Sequence, residues 1–519
     1  MSLGLESAGF HRVLGNEVSP MAAETFAYNL VAGSRSEPPP KPDLPSSWEP
    51  HFTFLDPPGG DNGVPDEKSF RDWHGHVQKG RPVSGETEAV LMGHARSDLL
   101  VGDAGRLAKA LEAFKKNHPV VFKRRFGDLD LIAGGPPCQS FSLAGRRDRN
   151  HPRNRLFEAF VSIVEQVRPK VVLFENVLGI TRPFVDEAGD DWHPWHEVCR
   201  AFKKAGYLPI PSLVNAADFG VPQSRPRFIL VALAQEVACK VPNTPLAESG
   251  LVEALRLART CYAEPSNDRR LIFQLETAFR NGSWPSPLFP LPTNLGMSEK
   301  VGVGFAIEDL LAVERDERFV RGNYAESLNQ RLKRPAGVSS HSAPLNHGLR
   351  NHGPRTRARF RLMRTLAEAG FMAKSIAEVA RQRQKAIELL LNKPLFVPLQ
   401  DGEYVERKRA NTYEVGQLID SLSSAKNVQK CLDPRKPAPA QLSIPDDSIH
   451  WASDRVLTIR EMARIQSFPD WFEFRSKETT GGSARSYEVP QYTQVANAVP
   501  PLLALAFGES IRAFLKKLR

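Results

Sequence analysis

Cysteine is scarce in this chain: five in 519 residues, at 138, 199, 239, 261 and 431, with no Cys-x-x-Cys pair. So thin a scatter excludes a disulfide framework and lacks the usual spacing of structural zinc, so no metal is expected. Each thiol stands alone, and a lone thiol is free to be a nucleophile. Long apolar runs are missing too. None approaches the roughly 18 to 20 residues of a membrane span. The opening MSLGLESAGFHRVLG has neither the basic start nor the apolar stretch of a secretory leader. These absences point to a cytoplasmic protein with no membrane partner. Acidic residues are in deficit. Asp and Glu number 59 against 69 Lys and Arg, giving a formal charge of +10 and a pI near 9.3. That balance suits a polyanionic partner such as nucleic acid. Two clusters concentrate it, GRRDRNHPRNR at 145–155 and RNHGPRTRARFRLMR at 350–364.

The length supports two or three domains. SLGLESAGF reads as a short helix ending at Gly9, RVLGNEVS as a strand, and PMAAETFAYNL as a helix with Pro20 in its first turn. Residues 31–90 include SRSEPPPKPDLPSSWEP and read as an irregular insertion. A helix over 104–116, the strand DLDLIAGG, a helix over 155–169 and the β-branched run KVVLFENV follow. A helix over 193–205 and a strand pair near 210–234 complete the rhythm. Strands alternating with helices predict an α/β sheet with helices on both faces and ligands at the strands' carboxyl ends. From 236 to 453 the rhythm breaks, as expected of a second domain inserted between residues 1–235 and 454–519. The chain closes with RVLTIREMARIQSFPD and with QVANAVPP, a strand-like turn before a last helix.

Two strand ends carry chemistry. DLIAGGPPC ends on Cys138 behind two prolines that fix the backbone, and VVLFENV ends on Glu175. Arg146, Arg147 and Arg149 follow the cysteine and would favour its thiolate; His151 beside them reads as solvated. QSRPR adds Gln223, Arg225 and Arg227. A nucleophile, an acid and a cationic clamp suit attack on a heteroaromatic ring.

These motifs, in this order, resemble the cytosine-5 DNA methyltransferases of bacterial type. GGPPCQSFS resembles the catalytic proline-cysteine motif, ENV the glutamate motif and QSRPR the glutamine-arginine-arginine motif. RVLTIREMARIQSFPD and QVANAVPP resemble the two C-terminal motifs. The resemblance covers about residues 1–30, 98–235 and 454–519. It implies a Rossmann-like S-adenosyl-L-methionine-dependent sheet with an inserted, smaller DNA-recognition domain. It also implies methylation of carbon 5 of cytosine in double-stranded DNA. Cys138 would attack ring carbon 6, Glu175 would bond ring nitrogen 3, and Arg225 and Arg227 would hold the substrate. Pro137, Gln139, Ser142, Arg146, Arg147 and Gln223 would line the DNA, whose target base is flipped out to react. Glu17, Val18, Asp103, Asn497 and Val499 would hold the cofactor. Arg350, Asn351, Arg355, Arg357 and Arg359 are the candidate DNA contacts of the inserted domain. The setting implied is a monomer, either solitary or paired with a cognate restriction endonuclease.

The sequence departs from the pattern twice. Relatives begin with a strand and a glycine-rich turn of the type Asp-Leu-Phe-x-Gly-x-Gly-Gly, whereas MSLGLESAGF resembles the residues just after it. The expectation is a start assigned to an internal methionine; the alternative is a truncated, inactive DNA-binding homologue. Ala496 stands where many relatives have glycine. A transfer RNA methyltransferase of the same fold is a further reading, opposed by the large inserted region.

Overall fold

The computed structural model describes residues 1–31, 53–55, 86–95, 98–136, 156–185, 191–244, 250–262, 268–293, 300–335, 343–422, 429–480 and 488–518. Its strands form two principal sheets. β1 (Gly15–Glu17), β2 (Thr53–Phe54) and β3 (Leu99–Val101) make a parallel three-stranded sheet in the order β1–β3–β2. β4 (Leu131–Gly134), β5 (Val171–Val177), β6 (Tyr207–Asn215), β7 (Pro226–Ala234) and β8 (Phe273–Gln274) make a five-stranded sheet in the order β8–β6–β7–β5–β4. β4 and β5 run parallel across the helix Leu156–Val167. β7 runs antiparallel to both β5 and β6, because the ten residues between β6 and β7 are too few for a parallel crossover.

Burial explains the strand compositions. Val171, Val172 and Phe174 of β5 are fully buried, as are Phe228, Leu230, Val231, Ala232 and Leu233 of β7. Such unbroken apolar runs belong to strands covered on both faces. Phe174 meets Phe160 and Phe202 edge-on at 5.9 and 6.0 Å, fixing the helices Leu156–Val167 and Pro194–Lys204 on the sheet. Phe507 of the helix Pro501–Lys517 meets Phe219 and Phe289. The helix Ser2–Ser7 lies so close to that last helix that a side chain at Gly4 would run into the Pro501 carbonyl.

Several expectations need correction. The 31–90 stretch contains β2, paired with β3, and a helix Glu86–Met92. QVANAVPP is not strand-like; it is the end of a helix, Gln491–Asn497, running into Pro501–Lys517. Together Gln491–Lys517 is apolar enough by composition for a membrane span, with a window hydropathy of 1.4, but that window is 61% buried inside the protein. The expected 236–453 unit divides in two. Buried residues from Leu251 to Leu332, together with Leu432 and Ala438, join the core of the five-stranded sheet, while the other buried apolar residues from Ala358 to Val456 form a separate cluster. The long helix Pro354–Glu368 is the spine of that second cluster.

Candidate active site

The ends of β4, β5 and β7 meet. Arg227 Nε lies 2.7 Å from Glu175 Oε1, with the side chains only 9% and 13% exposed. Burial lowers the Arg227 pKa, and Glu175 opposes that shift. A Cβ built on Gly135 would fall 2.9 Å from Glu175 Oε2, so glycine lets the end of β4 lie against that carboxylate. Asn176 Nδ2 donates to the Pro136 carbonyl at 3.3 Å, and its Oδ1 accepts from Val177 N–H at 2.7 Å. The segment leading into Cys138 is therefore tied to the residue after Glu175. Pro137, Cys138, Gln139, Ser142, Arg146, Arg147, Arg149 and His151 lie outside the described residues.

Gln223 and Arg225 sit elsewhere than expected. Gln223 is fully buried and Arg225 is 3% exposed. Arg225 Nη2 donates to the Ala496 and Ala498 carbonyls at 2.6 and 3.3 Å, and Nη1 donates to Gln223 Oε1 at 3.3 Å. Gln223 Nε2 donates to Gln466 Oε1 at 2.8 Å. These side chains face the interior, where Arg225 holds the adjacent chain and Gln223 is bonded to Gln466. Burial lowers the Arg225 pKa to about 9, with Arg227 adding to the effect.

A cavity of about 780 Å³ separates the two sheets. Leu14–Val18 around β1 line one side, and Asp128–Pro136 around β4 line the other. Leu107, Leu111, Phe160 and Ile163 supply apolar walls. Its size falls in the ordinary range of cofactor pockets, and its few acids are set among apolar groups. Glu17 fits a hydroxyl-rich ligand: Oε1 accepts from Ser19 N–H at 3.0 Å, and burial raises its pKa. Val18 is 59% exposed at the same rim. Asp103 also lines the cavity, but its Oδ1 caps the helix Ala104–Asn117 by accepting from Gly105 N–H at 2.8 Å. Among the described residues, the lining includes neither Asn497 nor Val499. The carbonyl end of their helix is instead held by Arg225 and Gln466.

The predicted DNA contacts share one region but not one condition. Arg350 pairs with Asp446 at 3.3 Å. Arg355 is exposed and donates to the Ser421 carbonyl at 2.6 Å. Arg357 is exposed and lies over the Phe396 ring at 5.4 Å; Asn351 is exposed and Arg359 is half-buried. Their neighbours Arg361 and Arg364 are spent on Asp454, at 2.7 and 3.2 Å, so that part of the basic run is structural.

Sequence reasoning passed over Asn176, Gln441 and Gln466. Asn176 had a signal, since it adjoins Glu175 at a strand end. The glutamines had none, because their partners lie up to 243 residues away.

Comparison with known proteins comes down on the same chemistry. The model of the family described as C-5 cytosine-specific DNA methylase matches residues 109–269 and 349–513, over half of the chain. The type II methyltransferase M.DdeI of Desulfomicrobium norvegicum is 29% identical over 402 residues, covering 76% of this chain and 75% of that protein. M.XorII of Xanthomonas oryzae pv. oryzae, a type II methyltransferase, is 27% identical over 399 residues, 75% of this chain and 69% of its own. M.AgeI of Thalassovita gelatinovora, also a type II methyltransferase, is 27% identical over 457 residues, 78% of this chain and 91% of its own.

Proposed function

This chain belongs to the C-5 cytosine-specific DNA methylase family, and from that premise we propose how its residues divide the reaction. It is a DNA cytosine methyltransferase dependent on S-adenosyl-L-methionine. The observation that carries the residue assignment is the Glu175–Arg227 pair at 2.7 Å, set against Gly135 where the Cys138 segment begins.

In this reading the cytosine leaves the helix stack, since its ring cannot be reached inside the duplex. The Cys138 thiolate forms a bond to carbon 6. Glu175 hydrogen-bonds ring nitrogen 3 and takes up the charge change there. Arg227 holds Glu175 in place and donates to the ring oxygen. The electron pair displaced by sulfur makes carbon 5 nucleophilic. S-adenosyl-L-methionine, when bound, supplies an electrophilic methyl group. Carbon 5 then loses its proton to a base, the double bond re-forms, and the thiolate departs. Glu17, Val18 and Asp103 are the residues that would hold the cofactor, and Asn497 and Val499 would approach it from the C-terminal segment. The unit built on Pro354–Glu368 would read DNA, with Arg355 and Arg357 its candidate contacts, and the arginines after Cys138 would grip phosphate. We assign the enzyme to a cytoplasmic restriction-modification pair, acting as a monomer beside a cognate endonuclease. The type II methyltransferases among its relatives support that setting.

The test is transfer of labelled methyl to mixed-sequence duplex DNA by the 519-residue chain. Transfer is expected, with none by Cys138→Ser, and DNA carrying 5-fluorocytosine should trap a covalent complex because carbon 5 then has no proton to lose. Undiminished transfer by Cys138→Ser would overturn the assignment.

A further inference from the structure

We infer that Gln466 is a positioning residue for methyl transfer, acting through Gln223 and Arg225 on the Arg227–Glu175 pair; this rests on the reading of that pair given above. Gln466 is fully buried at the end of the helix Ile459–Ile465. Its amide is used at both ends. Oε1 accepts from Gln223 Nε2 at 2.8 Å, and Nε2 donates to the Val495 and Ala498 carbonyls at 2.9 and 3.1 Å. Those carbonyls end the helix Gln491–Asn497, where backbone acceptors lack helical donors. Arg225 reaches the Ala496 and Ala498 carbonyls beside them. Gln223 closes the ring, its Oε1 accepting from both Arg225 Nη1 and Gln441 N–H, at 3.3 and 3.1 Å.

The ring joins four chain segments, around Gln223–Arg225, Gln441, Gln466 and Val495–Ala498. Ala438–Pro439, on the return from the second apolar cluster, pairs in parallel with Gln223–Ser224. Gln223, Arg225 and Arg227 are spaced by two along extended backbone, so their side chains leave the same face. The first two are anchored inside, and the third meets Glu175. Both ends of the Gln466 and Gln223 amides and both terminal nitrogens of Arg225 are bonded, with Arg225 Nε left over, and a buried ring so connected resists other arrangements. Rotating the Gln466 amide would set its oxygen against two carbonyls and its NH₂ against Gln223 Nε2. The anchored row is therefore specified, and with it the aim of Arg227. None of the ring residues lines the cavity among the described residues. The ring does hold the carbonyls beside Asn497 and Val499, which were assigned above to approach the cofactor from the C-terminal segment.

Gln466→Met keeps the length and removes all three bonds. We expect kcat to fall roughly tenfold to a hundredfold, the scale of a small misplacement at a reacting centre. The dissociation constant for S-adenosyl-L-methionine, measured by calorimetry without DNA, separates two routes: a loss confined to it would act through the Asn497–Val499 segment and not through Arg227. Gln466→Glu gives the sharper readout. Its ionised carboxylate would be buried against two carbonyls, which raises its pKa, with Arg225 at the shared Ala498 carbonyl as the one opposing charge among the ring residues. Once protonated, it can again donate to one of those carbonyls while accepting from Gln223. Its kcat relative to the unmodified chain should therefore recover as pH falls from about 8.5 to about 6, with circular dichroism showing both proteins folded throughout. A merely structural role would lower the melting temperature and leave kcat alone, and that outcome overturns the inference. So does a deficit in Gln466→Glu that is the same at every pH, or a loss of cofactor affinity with kcat kept. Arg227→Ala is the control for the underlying reading: full activity there would sink that reading, whatever Gln466 does.

Discussion

Glu461 and Glu175 are both carboxylates held by arginine, and they differ in what is left over. Glu461 is fully buried and saturated. Arg455 donates to both of its oxygens at 2.8 Å, and Thr458 N–H adds a third bond at 2.8 Å. Glu314 braces Arg455 from the other side at 3.0 Å. Burial alone would raise the Glu461 pKa, but Arg455 outweighs it and brings it down to about 2. Among the described residues Glu175 pairs with one arginine, its second oxygen lies beside a glycine, and the Met1 amino terminus adds positive charge nearby. The first carboxylate has no valence to offer a ligand; the second does. A complete buried ion pair specifies structure, and an incomplete one at a strand end is where a substrate can be added.

Substituting the two glutamates in parallel is the strongest test of that contrast. Glu175→Gln should lower kcat by about 10²- to 10⁴-fold with little change in melting temperature, read by methyl transfer and calorimetry on one preparation. Glu461→Gln should do the reverse. It leaves Arg455 with Glu314 alone and the wholly buried Thr458 N–H without its charged acceptor, and should cost about 3 kcal/mol in a denaturant titration. Equal loss of activity and stability in both variants would erase the distinction. The pH dependence sharpens it. Glu461 has a folded-state pKa of about 2 against an ordinary 4.5, so its contribution is complete above that ordinary value and is lost as pH falls toward about 2. Melting temperature should drop across that window in the unmodified chain and less steeply in Glu461→Gln. Asp454→Asn should be milder, about 1–3 kcal/mol, since Arg361 and Arg364 both keep a second carboxylate. At the bottom, Arg256→Ala breaks an exposed pair with Glu253 and should leave the melting temperature unmoved.

Chemistry at strand ends was legible because it is local. KVVLFENV spells a buried strand with a carboxylate at its end, and GGPPC spells a fixed turn before a thiol, so neither needs knowledge of distant residues. The helices at Pro20, Ala104 and Pro194 announce themselves through proline or a capping side chain. What failed to show was set at long range. QSRPR reads as three polar side chains at a site, yet two are turned inward, Arg225 by carbonyls about 270 residues on and Gln223 by the Gln466 amide 243 residues on. The arginine run at 350–364 reads as one basic face, but Asp454 claims two of its members. The residues between Leu251 and Leu332 look irregular because their apolar partners lie on the sheet, not along their own sequence.

The two sheets face each other across the cavity with β1 and β4 as their open edges. Among the described residues no ladder joins them, so the molecule's midline is a seam. Outward-facing amides on those edges should exchange with deuterated water long before those of β5 and β7, which lie between bonded neighbours on both sides. A ligand reaching from Glu17 to Gly135 would span that seam as a keystone spans an arch. The two halves would then unfold together where, without it, one could loosen first.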